Sequence, residues 1–246
     1  MARLRAASVR RLPRSASVAL TVGAALVTTL VATGCAPAAS ASAPVFSAPS
    51  PTPAATGHGA YRLRVVTIGD SLMSGYGLDL GQAWPTLLAN KAHVSMTSLA
   101  CGGMGFVVSG DCGTPYSGLT PALAALQPDV VIVESSSNDF GEDAEDVRAE
   151  TLTTVEEMHD AAPGARIIGL STIWNDDADV PDEVGTTSDD LSVAIALVGG
   201  QFFDVGQPLQ GHPDWMQDDD VHPTARGQEA IAQTVLTTLS DAGVLG

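Results

Sequence analysis

A chain of 246 residues, 45% hydrophobic and carrying a formal net charge of −17, is long enough to bury a sizeable core. It is too acidic to hold a nucleic acid backbone or an anionic membrane surface by its own charge. The basic residues are unevenly spread. Arg3, Arg5, Arg10, Arg11 and Arg14 are five of the eleven Lys and Arg, and residues 1–34 contain no Asp or Glu. The rest of the chain therefore sets six basic residues against 28 acidic ones, a net −22.

Residues 1–34 read as an export signal. The basic start is followed by an uncharged, largely apolar run from Val18 to Ala32, and then by Ala32-Thr33-Gly34-Cys35. Small residues before a Cys resemble the lipobox of bacterial lipoproteins, in which the Cys is lipidated and becomes the new N-terminus. Cys35 is thus the expected lipidation site, although Ala32 stands where Leu is usual. Ordinary cleavage between Ala38 and Ala43 is the alternative. An uncleaved anchor is the weakest reading, because the run falls short of the ~20 apolar residues a spanning helix needs. Residues 35–60, mostly Ala, Pro, Ser and Thr, cannot bury enough apolar surface to offset their ordering entropy, and read as a flexible tether. Residues 61–246 are expected to form one folded domain.

Within that domain the hydrophobic period alternates. Arg64–Gly69 reads as a strand, Gln82–Asn90 as a helix and Val94–Leu99 as a strand, followed by a Gly-rich stretch to Gly118. Leu119–Leu126 reads as a short helix, and Val130–Val133 as a strand buried on both faces, because every residue is β-branched. Asp143–Ala161 is helical by its apolar side, ending at Pro163-Gly164. A strand over Arg166–Leu170, a helix over Ser188–Val198, a strand over Gln201–Val205 and a last helix over Pro223–Ala242 complete the series. Strands alternating with helices imply right-handed crossovers and a parallel sheet covered on both faces.

In such a fold, ligands bind beyond the carboxyl ends of the strands. The run Val65-Val66-Thr67-Ile68 leads straight into Gly69-Asp70-Ser71-Leu72, a strand-to-turn junction that presents Ser71 at that edge as a candidate nucleophile. A serine nucleophile needs a base. His58 lies in the tether, and His93 and His159 sit near helix ends. His222 differs: it follows an acidic loop and precedes a helix, with Asp219 three residues back to hold its Nδ1 proton. His212 is the runner-up, with no acid at similar spacing. For the oxyanion, donors come from the Ser71 N–H, from the backbone at Gly102-Gly103, and from the side chain of Asn138 after the buried strand. With Cys35 lipidated, Cys101 and Cys112 form an even pair in an oxidising compartment and are expected to be bridged; two separate buried thiols are the alternative. No Cys or His spacing suggests a metal.

The set Gly69-Asp70-Ser71-Leu72, Gly103, Asn138-Asp139 and Asp219-x-x-His222 resembles the four spaced blocks of the SGNH (GDSL) hydrolases, over most of Arg64–Ala242. The stretches Gly69–Ala89, with Ala83-Trp84-Pro85, and Trp215–Pro223 are similar to the bacterial extracytoplasmic thioesterase, arylesterase and lysophospholipase subgroup. The resemblance implies a three-layer α/β/α, flavodoxin-like fold with a five-stranded parallel sheet. It implies Ser71 as nucleophile, His222 as base and Asp219 as its orienter. Ser71 N–H, Gly103 N–H and Asn138 would form the oxyanion hole, with no cofactor and no metal. Two blocks depart from the family pattern. Ser136 and Ser137 stand where Gly is usual before the Asn, at a cost of ~1 kcal/mol if either needs φ > 0. The Asn that often begins the second block is Ser98, with Cys101 inside the block.

The expected activity is hydrolysis of carboxylic esters or thioesters through an acyl-serine, by an exported lipoprotein or secreted enzyme. Deacylation of, or acyl transfer to, a cell-wall or extracellular glycan is the alternative; a catalytically silent surface-binding lipoprotein is a third reading. The expected partner is a small-molecule or lipid ester, with no nucleic acid and no membrane contact beyond an N-terminal lipid. The chain is expected to act as a monomer.

Overall fold

Val65–Ile68 and Val130–Val133, two of the most apolar runs in the chain, lie side by side at the centre of a parallel sheet. In the computed structural model, which describes residues 62–245, β1 (Arg64–Ile68) pairs with β3 (Val130–Glu134), Val65 opposite Val130 and Ile68 opposite Val133. The export signal, Cys35 and the tether lie outside the described residues. On the other side of β1 runs β2 (Ser95–Ser98); beyond β3 run β4 (Arg166–Leu170) and β5 (Gln201–Phe203). The order is 2-1-3-4-5 with every pairing parallel. The alternation of strand and helix signals leads to the parallel sheet, and its three-layer, flavodoxin-like order is the one the family resemblance implies. All five residues of β3 are buried, as a strand covered on both faces requires, whereas edge strand β2 is a polar, largely exposed Ser-Met-Thr-Ser.

The pleat divides the core in two, since successive side chains point to opposite faces. Val65, Val130, Ile132, Ile168 and Leu170 pack against α2 (Trp84–Ala92) and α6 (Ala225–Asp241), through Trp84, Leu88, Ile231, Val235 and Leu239. Val66, Ile68, Val131, Val133 and Ile167 face α3 (Thr120–Leu126), α4 (Ala144–Ala161) and α5 (Asp182–Leu197), meeting Leu123, Val155, Met158, Leu191 and Ile195. One four-residue helix, α1 (Ser71–Ser74), follows β1 directly.

Two of the differences in helix start from the sequence reading have a clear local reason. Helix α5 begins at Asp182, six residues before the expected Ser188. Its first turns look like loop because they are rich in Thr and Ser. Those hydroxyls bond back one turn, Thr187 to Glu183 O and Ser188 to Val184 O, which satisfies them inside a helix. Helix α6 begins at Ala225 instead of Pro223. Pro223 is held outside by a bridge to Met216, and Thr224 N–H donates to Trp215 O. Strand β5 stops at Phe203, short of the expected Val205, because the Asp204 carboxylate turns the chain by accepting from Gly206 N–H.

One buried amide fixes α6 to the turn that follows β1. Gln228, 1% exposed, accepts from Trp84 N–H at 2.7 Å and donates to Leu72 O at 2.8 Å, so a single side chain holds the end of α1 and the start of α2.

Candidate active site

Ser71 is the first residue of α1, directly beyond the carboxyl end of β1, and is nearly buried. Asp70 caps the turn: its Oδ1 accepts from Leu72 N–H at 2.8 Å. The Ser71 carbonyl accepts from Gly75 N–H and Tyr76 N–H, which closes the turn beneath the side chain.

Beside it runs the loop that follows β2. Cys101 N–H donates to Gly69 O, and the Cys101–Cys112 disulfide closes the loop with Cα atoms 6.2 Å apart, the bridged alternative of the sequence reading. Gly103 has φ +71, where a Cβ would also crowd the Gly110 backbone. Among the described residues no backbone carbonyl takes the Gly103 N–H, which leaves it available as a donor. The loop has a second anchor. The Asp139 carboxylate accepts three consecutive N–H groups, Phe106 at 2.6 Å, Val107 at 3.0 Å and Val108 at 3.1 Å. Gly105 lies so close that a Cβ there would collide with that carboxylate.

The bridge spans a sequence separation of 11, for which loop-closure entropy gives about 3 kcal/mol. Reduction is therefore expected to lower stability by up to about that much and to lower kcat more than it raises KM, because the loop carries a donor whose value depends on being fixed. Denaturation and steady-state kinetics with and without reductant, checked by intact mass, measure both. Unchanged kcat in Cys101→Ala/Cys112→Ala would leave the bridge a stability element alone.

After β3, Ser136 is extended (φ −116) and caps a one-turn 3-10 helix over Ser137–Asp139. Neither serine is left-handed, so the ~1 kcal/mol penalty expected for a non-Gly residue does not arise. Asn138 lies in this turn, its Nδ2 donating to Met104 O at 3.0 Å. That bond ties the β3 turn to the Gly103 loop, and the same amide nitrogen lies 3.5 Å from Asp70 Oδ2.

The base pair stands on the loop before α6. His222 Nδ1 is 2.7 Å from Asp219 Oδ2, and Asp219 Oδ1 accepts from the backbone N–H of His222 and of Val221. These hydrogen bonds hold the Asp219 carboxyl down to about 2. A depressed carboxylate stabilises the fold above its unfolded value near 3.8 and loses that contribution as pH falls through about 2. An Asp219→Asn variant should therefore be less stable than the parent at neutral pH, and the gap should close only in strong acid, as acid unfolding of both proteins would show.

The His222 loop is tied to the nucleophile turn by Gln217, whose Nε2 lies 2.8 Å from Tyr76 O and 3.0 Å from Pro223 O. The Tyr76 ring packs on the imidazole, centroids 4.4 Å apart. Among the described residues no hydrogen bond joins the Ser71 hydroxyl to His222; contacts of this kind commonly tighten only with substrate bound. His212 is instead stacked flat on Trp215, at 3.6 Å and 7°, while His93 caps α2 and His159 lies in the last turn of α4.

Beneath the turn lies an unusual concentration of buried acid. Burial pushes the Asp70 carboxyl up, opposed by its hydrogen bonds from Ser136 and the Leu72 N–H and by the His222 charge. Burial pushes Glu134, at the end of β3, well above the carboxylate range, and leaves its Oε2 without a partner. Burial and the neighbouring Asp70 both disfavour the charged form of Glu134, which would set a second buried charge at the sheet edge.

The turn after β1, the loop after β2, the turn after β3 and the loop before α6 thus meet at one edge of the sheet. A model of the GDSL-like lipase/acylhydrolase family matches residues 67–230, which span all four. The chain belongs to that family. Among its relatives, a GDSL lipase of Mycobacterium tuberculosis is 30% identical over 198 residues, covering 73% of this chain and 83% of the relative. The thioesterase 1/protease 1/lysophospholipase L1 of Escherichia coli K12 is 29% identical over 176 residues, covering 68% and 79%. A crystal structure of a psychrotrophic esterase from a Pseudoalteromonas species superposes with a TM-score of 0.61 at 18% identity, covering 73% of this chain and 97% of that one. As a GDSL-family hydrolase, the protein acts on ester bonds.

The sequence reading gives no role to Asp139, Ser136, Tyr76, Gln217 or Gln228. Only Asp139 leaves a readable signal. A Gly-rich segment with few neighbours for its N–H groups needs an outside acceptor, and Asp139 is an acid next to a fully apolar strand.

Proposed function

We propose that this family member hydrolyses carboxylic esters or thioesters through an acyl-serine intermediate, with Ser71 as nucleophile, His222 as base and Asp219 as orienter. The observation that carries the reading is the Asp219–His222 pair at 2.7 Å, bound by Gln217 to the turn that presents Ser71. With Nδ1–H held by Asp219, the neutral ring has Nε2 free to accept a proton. Ser71 Oγ attacks the acyl carbon as its proton passes to Nε2. The carbonyl oxygen becomes an oxyanion facing the Ser71 N–H, the Gly103 N–H and the side-chain amide of Asn138. His222 then gives its proton to the departing alkoxide or thiolate, and the acyl–Ser71 ester remains. Water, deprotonated by His222, attacks that ester, and the proton returns to Ser71 as the acid leaves.

The basic, apolar start of the chain and Cys35 support export and lipid attachment. One experiment addresses both parts. The expressed full-length precursor is fractionated, treated with a fluorophosphonate and mapped by mass, and the labelled pool is compared with an untreated pool on esters and thioesters of graded chain length. Label on Ser71, loss of turnover with labelling, and a membrane-bound product with acylated Cys35 are expected. Turnover unaffected by complete labelling would overturn the mechanism, and an unmodified N-terminus between Ala38 and Ala43 would overturn the lipid anchor.

A further inference from the structure

Ser136 stands where the family usually has Gly, and its hydroxyl is used in both directions. It donates to Asp70 Oδ2 at 2.5 Å and accepts from the Asn138 N–H at 3.1 Å. The other oxygen of the same carboxylate accepts from Leu72 N–H, one residue past Ser71, and Asn138 Nδ2 lies 3.5 Å from Oδ2. We propose that Ser136 is a positioning residue that, with Asp70, forms a buried clamp setting the Asn138 donor against the turn that presents Ser71. This deepens, and rests on, the roles given above to Ser71 and Asn138.

A serine that only shaped its own turn would need no more than its acceptor half, the bond from Asn138 N–H. The donated proton goes instead to a residue in the turn after another strand, 66 positions away in sequence. Ser136 is 1% exposed and Asp70 4%, so water competes for neither group. Hydrogen bonds in such surroundings are stronger, and a broken one is costly because its partners stay buried. Asn138 is then held at two points: its main chain through Ser136 to the β1 turn, and its side chain through Met104 O to the Gly103 loop. An oxyanion donor contributes most when it need not reorganise as charge develops, and this arrangement supplies that condition from two directions.

The test is a double-mutant cycle on the intact protein with Ser136→Ala, Ser136→Gly and Asp70→Asn, read as kcat and KM on a neutral short-chain ester. Asp70→Asn offers a donor where Ser136 needs an acceptor. Ser136→Ala is expected to lower kcat about tenfold with KM within about twofold, and to cost almost nothing in the Asp70→Asn background. Ser136→Gly, which restores the usual family residue, should behave like Ser136→Ala and provides a second variant should alanine impair folding. Equal losses in both backgrounds, or a higher KM with unchanged kcat, would overturn the clamp.

Hydrogen exchange at the Asn138 backbone amide reads the same contact without turnover. It should be protected in the parent and at least tenfold faster in Ser136→Gly, while Phe106 and Val107, held by Asp139, stay as they were. An unprotected Asn138 amide in the parent overturns the proposal outright. A parent that hydrolyses no ester would sink the functional reading, and the exchange measurement would still decide the clamp.

Discussion

Ser71→Ala is expected to lower kcat roughly ten-thousandfold to a millionfold on any ester substrate, with His222→Ala falling in the same range. The two losses should not add, because nucleophile and base act as one unit: without either, only binding and the oxyanion donors remain. Asp219→Ala is expected to cost less, since its task is to orient a ring that Tyr76 also confines. Its Oδ1 bonds to the Val221 and His222 amides mean that removal loosens the loop as well. Kinetics on folded, mass-checked variants measure the series. Near-parental turnover in His222→Ala together with loss in His212→Ala would show that the base is misassigned. The geometry argues against that result, because His212 is stacked on Trp215 and is held in the capping position of a one-turn helix over Pro213–Trp215.

The second large effect falls on stability. Asp139→Ala removes one carboxylate and orphans three N–H groups at once, and the Phe106 donor is fully buried. An unpaired buried donor costs about 1–3 kcal/mol, and bonds to a charged acceptor lie at the upper end. Val107 and Val108 are partly exposed and can turn to water, so the net loss is expected near 4 kcal/mol. That exceeds the about 3 kcal/mol assigned to the disulfide on the same loop. Asp139→Asn should fall between, because it keeps one acceptor oxygen and sets an NH₂ against a backbone donor. Urea denaturation with unchanged m-value is the measurement; a loss under about 1 kcal/mol would mean that the loop is held by its bridge alone.

The strands follow from physics that a sequence displays, whereas their order is implied only by the family resemblance. Val130–Val133 is β-branched throughout because both its faces are covered, and the alternating parity of Val65 and Val66 is the pleat itself. The Asp219-x-x-His222 spacing is legible for a similar reason, since both groups sit on one short loop. Ser136, Gln217 and Gln228 are opaque for the opposite reason. Each works through a polar contact to a segment 66 to 156 residues away, and a lone buried amide or hydroxyl leaves no period in the chain. The start of α5 was hidden by composition, because its hydroxyls imitate a loop until the helix gives them carbonyls to bond.

The reach of Gln228 also bears on the order of events during synthesis. Leu72 and Trp84 lie 156 and 144 residues before it, so the turn that carries the nucleophile leaves the ribosome long before the amide that secures it. The proposed base follows the same schedule, since His222 belongs to the loop that leads into α6. A chain in passage, or one stalled short of that helix, holds its serine without a partner and with the Leu72 carbonyl and Trp84 amide unmet. Docking of α6 brings the Asp219–His222 pair to the Ser71 turn and closes those two groups in the same step, so the completed fold and the assembled site arrive together.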